Sequence, residues 1–321
     1  MTQQLVADIG GTHARFALHD PVAHTLSESC TIAASEHPDI GSAVRAYIRR
    51  AAGADLSAAC FAVAGPVSED LIEFTNSPWQ FSRSALEREL GFTRLRIIND
   101  FTALALGVPR VQPEGLHCVR PGVADPLAPK AMIGPGTGLG VSGLIPRGDQ
   151  HGVMRWIALS GEGGHVSFAP TNELEIALLR FLTRERDRAS VERVLCGEGL
   201  TNLYEFLAEH SGEPRRRPGP AEITTLALTR QDSISLQAVE LFCAILGSVA
   251  GDLALTLGAR GGVYLGGGIL PRILPVLGTS RFVERFLAKG RIAKVLAPVP
   301  VHVILDPVAA LRGAAEALQE S

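Results

Sequence analysis

Leu95-Arg96-Ile97-Ile98-Asn99-Asp100 is a short apolar run that ends in an amide and a carboxylate, and it lies between two glycine-rich turns. Those turns are Asp8-Ile9-Gly10-Gly11-Thr12 and Gly134-Pro135-Gly136-Thr137-Gly138. A buried strand ending in an acid sets a candidate base at the carboxyl edge of a sheet, where open α/β folds bind ligands. Backbone amides of glycine turns surround polyphosphate without needing charged side chains. Together the three segments read as phosphoryl-transfer chemistry.

Leu5 to Ala7 and Arg15 to Leu18 predict two strands joined as a hairpin at Gly10-Gly11. Val44, Tyr47, Ile48 and Ala51 recur at helical spacing, with Gly53 as a stop. Cys60 to Ala64 reads as a buried strand closing at Gly65-Pro66. Ser84-Ala85-Leu86-Glu87 fits a capping box for a short helix that Gly91 ends, and this helix feeds the Leu95 to Ile98 strand. A proline-punctuated stretch near Val111 opens a second unit. There Ala131-Met132-Ile133 enters the second glycine loop, Val141 to Ile145 returns from it, and helices follow at Glu173 to Arg186 and Gly199 to Glu209. A long helix, Ile234 to Leu257, leads to the strand Gly262 to Leu265 and to Gly266-Gly267-Gly268. Val299 to Leu305 alternates as a strand, and Pro307 to Leu318 reads as a terminal helix. The second half repeats the order of the first. The expected architecture is therefore α/β and two-lobed with a cleft, residues 1–110 with 300–321 forming the small lobe and 111–299 the large one.

At 321 residues the chain exceeds the size at which one core stops growing, which supports two lobes. With 46% hydrophobic residues, 20% charged residues and a net charge of -3, it is core-forming and lacks the basic footprint of a nucleic-acid binder. Arg215-Arg216-Arg217 sits among prolines and glycines and reads as a solvated loop. The five cysteines form no CxxC or Cys/His grouping, so reduced thiols are expected. The chain enters its first strand without an export pattern, which points to a cytoplasmic location. Ile234 to Leu257 is apolar enough to suggest a membrane span, but Glu240 and Asp252 interrupt it, and a charge near a helix centre is costly in lipid. A buried helix, with no membrane partner, is the expectation.

In the first turn the amides and the Thr12 hydroxyl can face phosphate while Asp8 reaches a hydrated magnesium ion through water; an ordinary hairpin is the plainer alternative. Gly138 to Gly143 matches GxGxxG with Glu162 downstream, as in dinucleotide folds. That fingerprint needs a helix to open at the glycines, whereas Val141 to Pro146 reads as a strand. No GxxxxGK[ST] loop occurs. Ser160-Gly161-Glu162-Gly163-Gly164-His165 places an acid and an imidazole where they can converge on sugar hydroxyls; a plain turn or a metal site competes, though zinc would need more ligands than the spacing offers. Glu192 by spacing alone is an acid opening a helix.

These segments, with Ala14 to Leu18, Asn99-Asp100-Phe101, Glu192 to Leu195 and Leu265 to Ile269, resemble in order the bacterial glucokinase family over almost the whole chain. The resemblance implies a duplicated ribonuclease H-like fold, shared with sugar kinases, actin and heat-shock chaperone ATPases. It implies Asp100 as catalytic base, and Asn99, Asp100, Glu162, His165 and Glu192 as glucose contacts. For ATP it implies Asp8, Gly10, Gly11, Thr12, Gly136, Thr137, Gly138, Gly266 and Gly267, with Mg2+ as cofactor and a homodimer as assembly. Where the family usually has Asn after Gly-Gly-Thr, this chain has His13. Glu162 to Pro170 contains no cysteine, which points away from the zinc-bearing ROK branch. The implied reaction is ATP-dependent phosphorylation of the 6-hydroxyl of glucose. A kinase of broader hexose range, or a sugar-binding regulator, is the alternative; a regulator would need a helix-turn-helix, for which the start of the chain leaves no room.

Overall fold

In β1 (Gln4–Ile9), Leu5, Ala7 and Ile9 turn to one buried face while Val6 and Asp8 turn to the other. The computed structural model describes residues 3–51, 56–65, 67, 70–74, 79–148, 154–214 and 216–319. Gly53, Pro66 and Arg215, singled out above as a helix stop, a strand stop and part of a basic run, lie outside these residues. The chain divides into two units, 1–112 with 306–321 and 113–305.

The first unit is a five-stranded sheet in the order β3-β2-β1-β4-β7. β1, β2 (His13–Asp20) and β3 (Thr25–Ala33) form an antiparallel meander; β4 (Ala58–Val63) and β7 (Arg94–Asn99) continue the sheet in parallel with β1. β5 (Leu71–Glu73) and β6 (Gln80–Ser82) make a separate antiparallel pair. β4 is central and buried on both faces, which its unbroken Cys-Phe-Ala-Val run anticipates. The helix Ile40–Arg50 covers one face, where Tyr47 stacks on Phe16 with ring centroids 5.2 Å apart. The terminal helix Ala309–Gln319 packs on β1 and β4 and on the helix Asp100–Gly107. Arg94 donates from Nη1 to the Leu318 carbonyl at 3.0 Å and Arg96 donates to that of Ala317, so two cations satisfy the last turn of this helix.

The helix before β7 starts earlier than the capping box suggests. Ser82, not Ser84, is its N-cap, accepting from Ala85 N at 3.1 Å. Ser84 N donates instead to Asp70 at 2.9 Å, and Glu87 accepts from Leu95 N at 2.8 Å. Asp70, distant in sequence, supplies the acceptor that frees Ser84 to enter the helix. Gly91 ends it with φ 73°, in the left-handed region.

The second unit repeats the plan with one added edge, β11-β10-β9-β12-β13-β8. β8 (Leu116–Arg120) is that antiparallel edge strand. β9 (Lys130–Pro135), β10 (Leu139–Gly148) and β11 (Met154–Leu159) form the meander; β12 (Val263–Leu265) and β13 (Val301–Ile304) extend it in parallel. β13 corrects the expected partition: residues 300–305 belong here and do not complete the first unit. Val301 and Val303 are fully buried in the second core, and only from Asp306 does the chain rejoin the first unit.

The helix Ser233–Leu257 is long and apolar enough to cross a bilayer, but two-thirds of its most apolar stretch is buried inside the protein. Asp232 caps its start and Gly258 its end, and Asp252 pairs with Lys289 at 2.6 Å. Arg285 and Glu175 form a buried bidentate pair, at 2.7 and 3.1 Å, that ties this core together. All five cysteines are free thiols. Arg216 and Arg217 lie exposed in a loop, as expected, and there Arg217 binds Glu198 and Glu205 while Arg216 lies 3.5 Å from Glu222.

Candidate active site

In the first unit the glycine turn between β1 and β2 is closed by Gly10 N donating to the His13 carbonyl at 2.9 Å. It is anchored by Ala34 N on the Thr12 carbonyl at 2.9 Å, which leaves the Thr12 side chain exposed. His13 is exposed too, its Nδ1 3.0 Å from the Thr12 hydroxyl. Asp8 lies two residues before this turn and is partly buried. Burial raises its carboxyl above the usual range, and Arg15 acts in the opposite direction. Arg15 is its direct cross-strand neighbour, and its guanidinium is held by the Pro307 carbonyl. Arg15 was not among the expected site residues, although pairing across a short hairpin would have placed it opposite Asp8.

β7 delivers Asn99 and Asp100 to the start of the helix Asp100–Gly107. The Asn99 side-chain oxygen caps this helix, accepting from Phe101 N at 2.9 Å and Thr102 N at 3.2 Å, while its amide nitrogen donates to the Gly65 carbonyl at 3.2 Å. Asp100 also accepts from Phe101 N at 2.9 Å. Burial, reinforced by the like charge of Asp8, pushes the Asp100 carboxyl up to about 6. The first unit thus gathers Asp8, Asn99, Asp100 and the turn Gly10 to Thr12.

The second unit gathers the rest. The glycine loop joins β9 to β10 as a hairpin, with Gly136 N donating to the Gly138 carbonyl at 2.8 Å. The GxGxxG string therefore lies in a strand, and the helix that a dinucleotide fingerprint needs is not there. Gly266 N donates to the Ile133 carbonyl at 2.9 Å, so the Gly266 to Gly268 turn abuts the base of this hairpin. Gly267 has φ 85°, and a side chain on it would strike the Pro135 carbonyl; only glycine fits.

Ser160 to His165 and the short turn Val191–Arg193 bring three expected sugar contacts together. His165 stands between two acids, its Nε2 4.0 Å from Glu162 and its Nδ1 4.0 Å from Glu192. Glu162 and His165 are more than half exposed and Glu192 is 29% exposed, so all three can meet a ligand. Alternating acceptors and an imidazole on one small patch suit neighbouring hydroxyl groups.

A duplicated sheet of three antiparallel and two parallel strands, with a glycine hairpin in each copy and a helix-borne acid after the last strand of the first, defines the class of sugar kinases and actin-like ATPases. The Glucokinase family model matches residues 5–321. A glucokinase of Chromohalobacter salexigens is 46% identical over 314 residues, covering 98% of this chain and 97% of that protein. The crystal structure of a glucokinase from an Antarctic psychrotroph superposes with a TM-score of 0.89 at 37% identity, covering 100% of both chains. A Balamuthia mandrillaris glucokinase crystallised with glucose shares the fold, with a TM-score of 0.77 at 21% identity over 100% of this chain and 94% of that one. The chain belongs to the glucokinase family.

Proposed function

We propose that Asp100 takes the proton of the 6-hydroxyl of glucose as that oxygen attacks the γ-phosphorus of ATP, giving glucose 6-phosphate and ADP. Membership of the family makes the chain an ATP-dependent glucokinase. The observation that carries the assignment of the base is Asp100 itself, held at a helix start with its carboxyl raised to about 6. A base poised there is ionised at neutral pH yet accepts a proton readily. Glu162, His165 and Glu192 read the sugar hydroxyls, with Asn99 as a further contact. The turns Gly10 to Thr12 and Gly136 to Gly138 offer amides to the phosphates, and Gly266 and Gly267 border the adenosine. Phosphoryl transfer asks mainly for such positioning and charge stabilisation.

The residues fit Mg2+. Asp8 and Asp100 present only hard carboxylate oxygens, and magnesium binds through one or two carboxylates while keeping water and phosphate in its shell. Among the described residues no group of three or more His, Cys, Asp or Glu is arranged to hold a metal ion, so water and phosphate would supply most ligands. Asp8 would hold the ion through water, and the bound ion would neutralise charge on the phosphate oxygens. A homodimer in the cytoplasm completes the proposal; a monomer mass in light scattering overturns the dimer.

A coupled assay of magnesium-ATP consumption on glucose, mannose and fructose tests the substrate. Glucose is expected to give the highest kcat/KM, because buried polar groups left unpaired by an inverted hydroxyl penalise the analogue; equal efficiency on all three would establish a broader hexose kinase. Glu162→Gln and His165→Ala are each expected to raise KM for glucose about tenfold, the scale of one hydrogen bond to a charged group. The pH profile follows from the base. kcat/KM rises with pH toward about 6 as Asp100 ionises and levels off above it; a profile flat from pH 5 to 7 would exclude Asp100 as the titrating base.

A further inference from the structure

Glu192 touches two parts of the second unit at once. Its Oε2 accepts from Leu139 N at 2.8 Å, at the end of the glycine loop, while its Oε1 faces His165 Nδ1 at 4.0 Å. A Cβ on Gly138 would sit 2.6 Å from Oε2, so the loop is shaped around this carboxylate. Five residues on, Gly197 N donates to the Gly136 carbonyl at 2.9 Å. The segment from Glu192 to Gly197 therefore grips the loop on both sides of Thr137. The other sugar-reading segment lies against the same hairpin: a Cβ on Gly163 would come within 2.7 Å of Val141, and one on Gly164 would overlap the Leu139 carbonyl.

We propose that Glu192 is a positioning residue for the phosphate loop as well as a sugar contact, so that a sugar bound to one carboxylate oxygen fixes the loop amides held by the other. This rests on the readings of Glu192 and of Gly136 to Gly138 given above. A hydroxyl donating to Oε1 restricts the side chain, and Oε2 passes that restriction to Leu139 N. The nucleotide then meets a loop whose ordering cost has already been met, which tightens its binding; by linkage the nucleotide tightens the sugar equally.

The test compares Glu192→Ala, Glu192→Asp, Glu192→Gln and His165→Ala, measuring KM for magnesium-ATP at saturating glucose and KM for glucose at saturating ATP. Glu192→Ala loses the acceptor for Leu139 N and Glu192→Asp loses the reach, so each is expected to raise KM for ATP about tenfold. Glu192→Gln keeps a carbonyl at the same length and is expected to restore KM for ATP to within about twofold of wild type. His165→Ala is expected to raise KM for glucose alone. Unchanged KM for ATP in Glu192→Asp, or no rescue by Glu192→Gln, overturns the positioning role; the Asp and Gln variants carry the test if Glu192→Ala does not fold. A shifted KM for ATP with an unchanged KM for glucose overturns the link to the sugar and, with it, the reading of Glu192 as a sugar contact. Unchanged KM for glucose in both Glu192→Ala and His165→Ala overturns the sugar patch as a whole.

Discussion

Asp100→Asn is expected to lower kcat by roughly 10²–10⁴-fold, the range of a general base, while KM for glucose stays close to wild type. The substitution keeps the size of the side chain and an acceptor for Phe101 N, so the helix start survives and only the proton acceptor is lost. A near-normal kcat in a coupled assay would remove Asp100 from the role. The same variant should be more stable than wild type above pH 6. A carboxyl raised to about 6 in the folded protein binds its proton more tightly there than in the unfolded chain. Its stabilising contribution is full below the ordinary carboxylate range, about pH 4, and is lost as pH rises through about 6. Asparagine escapes that loss. Scanning calorimetry at pH 5 and pH 8 should show the Tm gap between variant and wild type widening at pH 8; a gap that narrows would contradict the burial and the Asp8 repulsion as causes.

Gly313→Ala is expected to cost about 3 kcal/mol or more of stability, at the upper end for overpacking because the clash is with backbone. The helices Asp100–Gly107 and Ala309–Gln319 cross at Gly107 and Gly313. A Cβ on Gly313 would overlap the Ala103 carbonyl and lie 2.7 Å from Gly107 N; one on Gly107 would overlap the Ala309 carbonyl. No rotamer relieves such contacts, so the helices must part. Because Asp100 opens the first of them, the methyl group should also depress kcat in whatever protein remains folded. Urea unfolding and kcat measured on the same preparation check both effects. An unaltered midpoint would show that this crossing is looser than its geometry.

Much of the fold was legible because it is written in local patterns. Alternation around Gly10-Gly11 marked the first hairpin, the run before Asn99-Asp100 marked a buried strand, and β-like residues after Gly140 argued for a second hairpin in place of a dinucleotide helix. The candidate site was legible in part. Asp100 and the glycine loops stood out by residue type, whereas Glu192 gained its place only through the family resemblance, since an acid opening a turn is commonplace. Arg15 and the Gly107–Gly313 crossing were missed: one needs the register of a strand pair, the other the approach of two helices far apart in the chain.

Residue order alone marked both glycine turns, most of the long helices and the strand that Asp100 follows, because periodicity and turn chemistry depend on neighbours a few positions away, but it did not mark β3, β8, β11 or the helix Asp100–Gly107. Packing decided the rest: that 300–305 joins the second sheet, that Asp70 resets a helix start, that Asp8 and burial lift the Asp100 carboxyl, and that Glu192 reaches Leu139 from 53 residues away. Such contacts depend on distances and desolvation that exist only once the layers have closed, and no local pattern encodes them.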